Sequence, residues 1–224
     1  MKDYTVDEIQ ENYNTFIETL TKVFSGERLK KLLYMYSESE LGNELAIAPA
    51  SGKAHFHSSY PGGYIDHVMN VVRNANNMLS IFKQDFDGDL GFTPEELFFS
   101  AFHHDLGKLG DGTLPLYTPE TSDWHRKNQN SNYKFSPDIH HMDVTDRALF
   151  LLQKYGITFS ENEMLGIKLA DGMYNEAAVP YLKTYNPDQS LKTVLPNLVH
   201  WADHMSCRQE FLNWKESEKT KNIF

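Results

Sequence analysis

Ten histidines, at positions 55, 57, 67, 103, 104, 125, 140, 141, 200 and 204, are the side chains of this sequence whose type and placement bear most on chemistry. Most of them sit near carboxylates, in segments that end helices or link them. Neutral imidazole and carboxylate oxygen form a donor set suited to Zn, Fe, Mn, Ni or Co, and the single cysteine, Cys207, excludes a thiolate-built site. His104 and Asp105 adjoin, and successive helical positions diverge by about 100°, so the pair can embrace one cation from two sides. The other ligands have to arrive from distant helices. Taken singly, His125, His140, His200 or His204 reads as a hydrogen-bonded helix-end residue. The ordered set is a different matter, because core formation alone requires neither imidazole nor carboxylate at all these positions.

Helices have to do the positioning. Apolar residues at Val6, Ile9, Tyr13, Phe16, Ile17, Leu20 and Phe24 recur at steps of three and four, which predicts an amphipathic helix. A second, short helix is expected over about 27–36. Pro49, Gly52, Pro61, Gly62 and Gly63 make 48–63 an irregular loop, and it carries His55 and His57. Helical spacing returns at Ile65, Val68, Met69, Val72, Ala75 and Leu79, with His67 on the same helix. Thr93, Pro94 and Glu96 form a capping box for a helix that delivers His103, His104 and Asp105 near its end. The polar stretch 111–138, with Pro115, Pro119 and Pro137, reads as a long loop or small hairpin. A helix is expected over about 143–155, a second capping box (Ser160, Glu163) opens one that ends near Asp171-Gly172, and a last helix covers about 191–214. The architecture expected is all-α. The rows Phe98-Phe99-Phe102 and Trp201-Phe211-Trp214 read as core, and Cys207 as a small core residue.

Composition narrows the function classes. The 224 residues carry 21 Lys+Arg against 31 Asp+Glu, a net charge of −10, with 40% hydrophobic residues. That is too apolar for a disordered chain. The acidic balance opposes binding to duplex nucleic acid, which rests on Lys and Arg neutralising phosphates. The N-terminal residues are acidic where a signal peptide would be basic, and no run approaches the roughly 18 apolar residues of a membrane span. A cytoplasmic protein without a membrane partner is expected. The sequence carries no signal for oligomeric state.

Three elements in order resemble the HD superfamily of metal-dependent phosphohydrolases: Gly63-Tyr64-Ile65-Asp66-His67-Val68, then His103-His104-Asp105-Leu106-Gly107-Lys108, then Val199-His200-Trp201-Ala202-Asp203-His204-Met205-Ser206. The resemblance covers roughly 45–210 and implies an HD-domain helical bundle over 46–215, an N-terminal helical extension (1–45) on its core and a polar tail (216–224). It assigns His67, His104, Asp105 and Asp203 as metal ligands. Some members hold two ions through two further histidines; His141 resembles the first, with His140 as the alternative, and Asp171 stands where the second would be. One or two divalent ions are implied (Mn, Fe, Co, Ni or Zn, with Mg also compatible), and Asp105 would be the bridge between two.

The segment Ala48–His57 followed by Tyr60-Pro61-Gly62-Gly63 is similar to the stretch before the first metal histidine in HD domains of certain 3′–5′ exoribonucleases and relaxase-associated proteins. That likeness implies that His55 or His57 faces the cleft and touches a phosphate. The activity implied is hydrolysis of a phosphate ester or anhydride in a small phosphorylated substrate, foremost a nucleotide, by metal-activated water. Asp105 and Lys108 are the catalytic candidates, although a lysine near a helix C-terminus also serves the dipole. Arg126 and Lys127, beside Trp124 and His125, either clamp phosphates or form a solvated loop. Two other reactions occur on similar folds: oxidation by a di-iron oxygenase, and cleavage by an HD exonuclease or cyclic-nucleotide phosphodiesterase.

Overall fold

A computed structural model describes residues 4–221, which form ten α-helices and one two-stranded hairpin. The chain is all-α in class, and among the described residues no helix is long and apolar enough to cross a membrane. Helix α1 (Val6–Val23) opens on a capping box between Thr5 and Glu8 and buries Phe16 and Leu20. Helix α2 (Gly26–Leu33) follows. It ends three residues earlier than its spacing predicts, because the chain widens into a π-helical turn over Tyr34–Glu38. Helix α3 (Glu40–Ile47) has no clear sequence signal, since Gly42 interrupts it. A Cβ at Gly42 would lie 2.5 Å from the Tyr36 carbonyl oxygen, so glycine is what lets the helix approach that turn.

Two long helices form the centre. Helix α4 (Gly63–Phe82) and helix α10 (Leu195–Lys221) lie along each other. The seam between them is polar: Asn74 donates to Ser206 Oγ (2.8 Å) and Gln209 Oε1 (3.1 Å). Helix α5 (Pro94–His103) carries both halves of its expected capping box, as does helix α8 (Glu161–Lys168). Helix α10 runs past the expected end at Trp214. Residues 215–221 are therefore helical and not a loose tail, as the helix-favouring Lys and Glu and the Glu216–Lys219 pair (2.6 Å) would suggest.

The N-terminal helices share the main core. Phe16 meets Phe102 edge to face at 5.4 Å, and Phe24 meets Phe99 and Phe102 at 5.9 Å each. Arg28 of α2 ties this layer down: its guanidinium lies 4.7 Å from the Phe99 ring and contacts both carboxylate oxygens of the fully buried Glu163, at 2.6 and 3.2 Å. Arg28→Met should cost roughly 2–3 kcal/mol, below the full penalty for an orphaned buried charge because Arg28 is partly solvated. Adding Glu163→Gln should recover part of that loss in urea unfolding. Equal stability of wild type and Arg28→Met would show that the pair anchors nothing.

Residues 111–138 form a hairpin with a helix at its tip: β1 (Tyr117–Pro119), α6 (Asp123–Gln129) and β2 (Tyr133–Phe135), with Tyr117 opposite Phe135. This hairpin braces the histidine-bearing loop. Asn132 and Tyr133 both donate their backbone N–H to the Gly52 carbonyl, the Ala54 N–H reaches Asn130 O (2.8 Å), and the Asn132 amide reaches Ser59 O (2.9 Å). Helix α7 (Val144–Lys154) and the short α9 (Val179–Lys183) complete the element order.

Candidate metal centre

Four side chains from three parts of the chain converge at one end of the α4/α10 pair. His67 Nε2 lies 3.3 Å from Asp105 Oδ2 and 3.2 Å from Asp203 Oδ1. His104 Nε2 lies 3.5 and 3.7 Å from the same two oxygens. His67, His104 and Asp203 each offer a ligand atom within 4.8 Å of the other two. His67 Nε2 and His104 Nε2 are buried, yet neither has a hydrogen bond of good geometry, and the buried Asp105 Oδ2 is met by the Lys108 ammonium. Orphaned polar atoms that face one another call for a shared partner.

The local fold explains the aim of each of these side chains. His104 caps α5, and its Nδ1 donates to Ala101 O at 2.8 Å, which leaves the Nε2 lone pair for the centre. The neighbouring His103 is turned away, bonded through Nδ1 to Phe99 O (2.6 Å) and stacked on Tyr36. After Asp105 the chain tightens into a 3₁₀ turn over Leu106–Leu109, where residues three apart eclipse. Lys108 therefore stands over Asp105, with Nζ 2.6 Å from Oδ2.

Glu210, which no sequence signal singled out, completes the His67 side. Both its oxygens lie 3.2 Å from His67 Nδ1, and it also accepts from Asn70 Nδ2 (2.8 Å) and Ser58 Oγ (3.1 Å). This carboxylate–imidazole pair fixes the tautomer that presents Nε2 to the cluster. The one available clue was spacing: Glu210 lies seven residues, two helical turns, beyond Asp203 on α10. Glu210→Ala should weaken Mn²⁺ affinity about 10–100-fold, whereas Glu210→Gln, whose amide oxygen still accepts from Nδ1, should keep most of it. Calorimetric titration checks this, and wild-type affinity in Glu210→Ala would remove Glu210 from the centre.

The electrostatics match a site built around charge. Burial disfavours the charged form of His67, but Glu210, Asp105 and Asp203 together raise its pKa well above the usual value. Burial likewise works against ionised Asp105, yet Lys108 and His104 hold it well below the carboxylate range. Asp203 is depressed too, against its burial, chiefly by His67 and His104.

A hydrogen-bonded arc closes one side. Lys108 has only protons to give, so its 3.1 Å contact makes His57 Nε2 the acceptor and leaves the proton on Nδ1, 3.7 Å from Cys207 Sγ. The Cys207 thiol in turn lies 3.4 Å from Asp203 Oδ1. Burial, with Lys108 and His67 adding repulsion, lowers the His57 pKa to about 3, so this imidazole is neutral. Cys207 is thus part of the site and not a core residue: it follows Asp203 by one helical turn on the same face. Burial and the neighbouring Asp203 push its thiol pKa up, so it stays protonated. His57, His67 and Cys207 form a second group with ligand atoms within 4.8 Å, sharing His67 with the first.

Asp105 and Asp203 of the cluster line a cavity of about 870 Å³ whose wall also includes His55, His57, Lys108, Asp171 and Arg208, while His67 and His104 are buried outside its lining. Asp171 shares this space with Asp105 and Asp203, and burial followed by their charge raises its pKa. Several expected contributors lie elsewhere. His141 and His140 are exposed on the segment before α7, outside the cavity wall, and among the described residues no compact ligand group includes either of them or Asp171. Arg126 and Lys127 are also outside. They occupy the solvent face of α6, where Arg126 pairs with Asp123, because the hairpin's inner side is committed to bracing the loop. Trp201 is 45% exposed and Phe211 lines the cavity, so that aromatic row is not core.

Comparison of the chain with family models, with curated proteins and with solved structures finds no match.

Proposed function

We propose that the protein is a metal-dependent phosphohydrolase of the HD type, acting on a small phosphorylated substrate, foremost a nucleotide. One observation carries the reading: two buried imidazole nitrogens without a hydrogen-bond partner face two carboxylates that line a cavity, and the same cavity holds an ammonium group. The donor set fits a divalent transition metal, and His67, His104, Asp105 and Asp203 would hold it. Such an ion, when bound, supplies Lewis acidity toward a phosphoryl oxygen and lowers the pKa of water.

The chain's own groups do the rest. Asp105 and Asp203 stay ionised at neutral pH, as ligands must. Lys108 faces the cavity floor and is placed to offset charge that develops on a phosphoryl group. His57 accepts from Lys108 and limits its swing. The cavity is large enough for a nucleotide, since small-molecule sites commonly enclose about 300–1,000 Å³, and the chain's net charge of −10 favours a small ligand over a nucleic-acid polymer.

The test is phosphate release from a panel of nucleoside mono-, di- and triphosphates with Mn²⁺, Co²⁺, Mg²⁺ or Fe²⁺. Metal-dependent release is expected, and Lys108→Ala should lower kcat about 10²–10³-fold with the metal still bound. Wild-type turnover in Lys108→Ala would place the charge offset elsewhere. No release with any metal, together with O₂ consumption by an iron-loaded protein, would replace hydrolysis with the oxygenase reaction.

A further inference from the structure

We propose that Arg208 is the docking point for a second anionic group of the substrate, separate from the phosphoryl group at the metal cluster; this rests on the phosphohydrolase reading above. The cavity holds two permanent cations. Lys108 sits at the closed end, already committed to Asp105 at 2.6 Å and to His57 at 3.1 Å. Arg208 is at the exposed side, on α10, from which Asp203, Cys207 and Phe211 also line the cavity.

Two features set Arg208 apart from an ordinary surface arginine. Five carboxylates line the same cavity, those of Asp105, Asp143, Asp171, Glu176 and Asp203, yet among the described residues Arg208 makes no ion pair with any of them. Its guanidinium instead lies 5.2 Å from the Phe211 ring centroid, a contact that orients the group while leaving its N–H fork open. Its place along the helix then sets what it reads. Arg208 lies five positions past Asp203, a rise of roughly 7.5 Å at 1.5 Å per residue, and its guanidinium is held over Phe211, three positions further along, so it is placed for a group beyond the reacting phosphoryl. Planar guanidinium matches phosphate oxygens two at a time. The second anion is a further phosphate of a polyphosphate chain or the next phosphodiester of a short oligonucleotide, which present the same chemistry.

Mn²⁺-loaded wild type, Arg208→Ala and Arg208→Lys, each checked for unchanged Mn²⁺ affinity and thermal midpoint, are assayed on a nucleoside 5′-monophosphate, its 5′-triphosphate and a 5′-phosphorylated dinucleotide. Wild type should prefer a two-anion substrate, and which one it prefers identifies the source of the second charge. On that substrate Arg208→Ala should lose roughly 10–100-fold in kcat/KM, mainly through KM, with the loss on the monophosphate at least tenfold smaller. Arg208→Lys should recover part of the loss, because it keeps the charge without the fork. Equal losses on all three substrates, no loss on any, or a wild-type preference for the monophosphate would overturn the role of Arg208 and leave the hydrolase standing. A wild type inactive on all three overturns both.

Discussion

Asp203→Ala should abolish metal-dependent phosphate release and remove the stabilisation expected from added Mn²⁺. The side chain is the only contribution of α10 to the cluster's inner oxygens, and it lies 3.2 Å from His67 Nε2 and 3.7 Å from His104 Nε2. Without it, the two imidazoles face Asp105 alone, and that carboxylate is shared with Lys108. Removing a direct ligand should cost at least about a thousandfold in kcat/KM, more than the 10–100-fold typical of an outer partner such as Glu210. A thermal readout separates lost metal from lost fold. A cation bound at 100 times its Kd stabilises the native state by about 2.7 kcal/mol, equivalent to a rise of roughly 5–10 °C at this chain length. Wild type should show that rise with Mn²⁺ and Asp203→Ala should not, while the two metal-free proteins should unfold within about 5 °C of each other. A metal-dependent rise in Asp203→Ala equal to the wild-type one would take Asp203 out of the centre.

Gly107→Ala is expected to be strongly destabilising and to disturb the site. Gly107 lies in the 3₁₀ turn between Asp105 and Lys108, where the turn presses against the start of α7. A Cβ there would stand 2.1 Å from the Val144 carbonyl oxygen and 2.9 Å from the Arg147 Cβ. Neither neighbour yields easily: one is backbone, and the other belongs to a buried arginine whose guanidinium donates to the His140 carbonyl. The turn has to move away from α7, so Asp105 and Lys108 move with it. We expect a loss of at least about 3 kcal/mol, at the upper end of overpacking effects, accompanied by weaker metal binding. A urea midpoint and Mn²⁺ affinity both equal to wild type would show that the close approach at Gly107 is not required.

Much of the frame was legible in the sequence because local physics wrote it there. The capping boxes at Thr93–Glu96 and Ser160–Glu163 set helix starts by pairing backbone donors with side chains a few residues away, and both form. The 3.6-residue spacing of α1 and α4 similarly sets which faces are buried. His67, His104, Asp105 and Asp203 are brought together from positions up to 136 residues apart by the way α4, α5 and α10 stack, and their order along the chain was the signal that pointed to them.

What the sequence left unread depends on long-range contacts. Glu210 and Cys207 matter because α10 presents three successive turns to one place, and their i, i+4, i+7 spacing from Asp203 acquires meaning only once α4 and the loop at 52–59 are packed against that face. Arg126 and Lys127 looked available because they lie in a polar stretch, but the hairpin that carries them turns its inner side to the loop at 52–59. His141 carried weight only as a position relative to the helix after it, and the segment before α7 leaves it in solvent.

The most direct measurement is anomalous diffraction from a crystal equilibrated with Mn²⁺. The expected result is a peak bonded to His67 Nε2, His104 Nε2 and oxygens of Asp105 and Asp203, with Nδ1 of both histidines still donating to Glu210 and to the Ala101 carbonyl. A map with no peak among those four side chains at saturating Mn²⁺, or with the ion held only by other residues, would contradict the metal centre and the hydrolytic reading built on it.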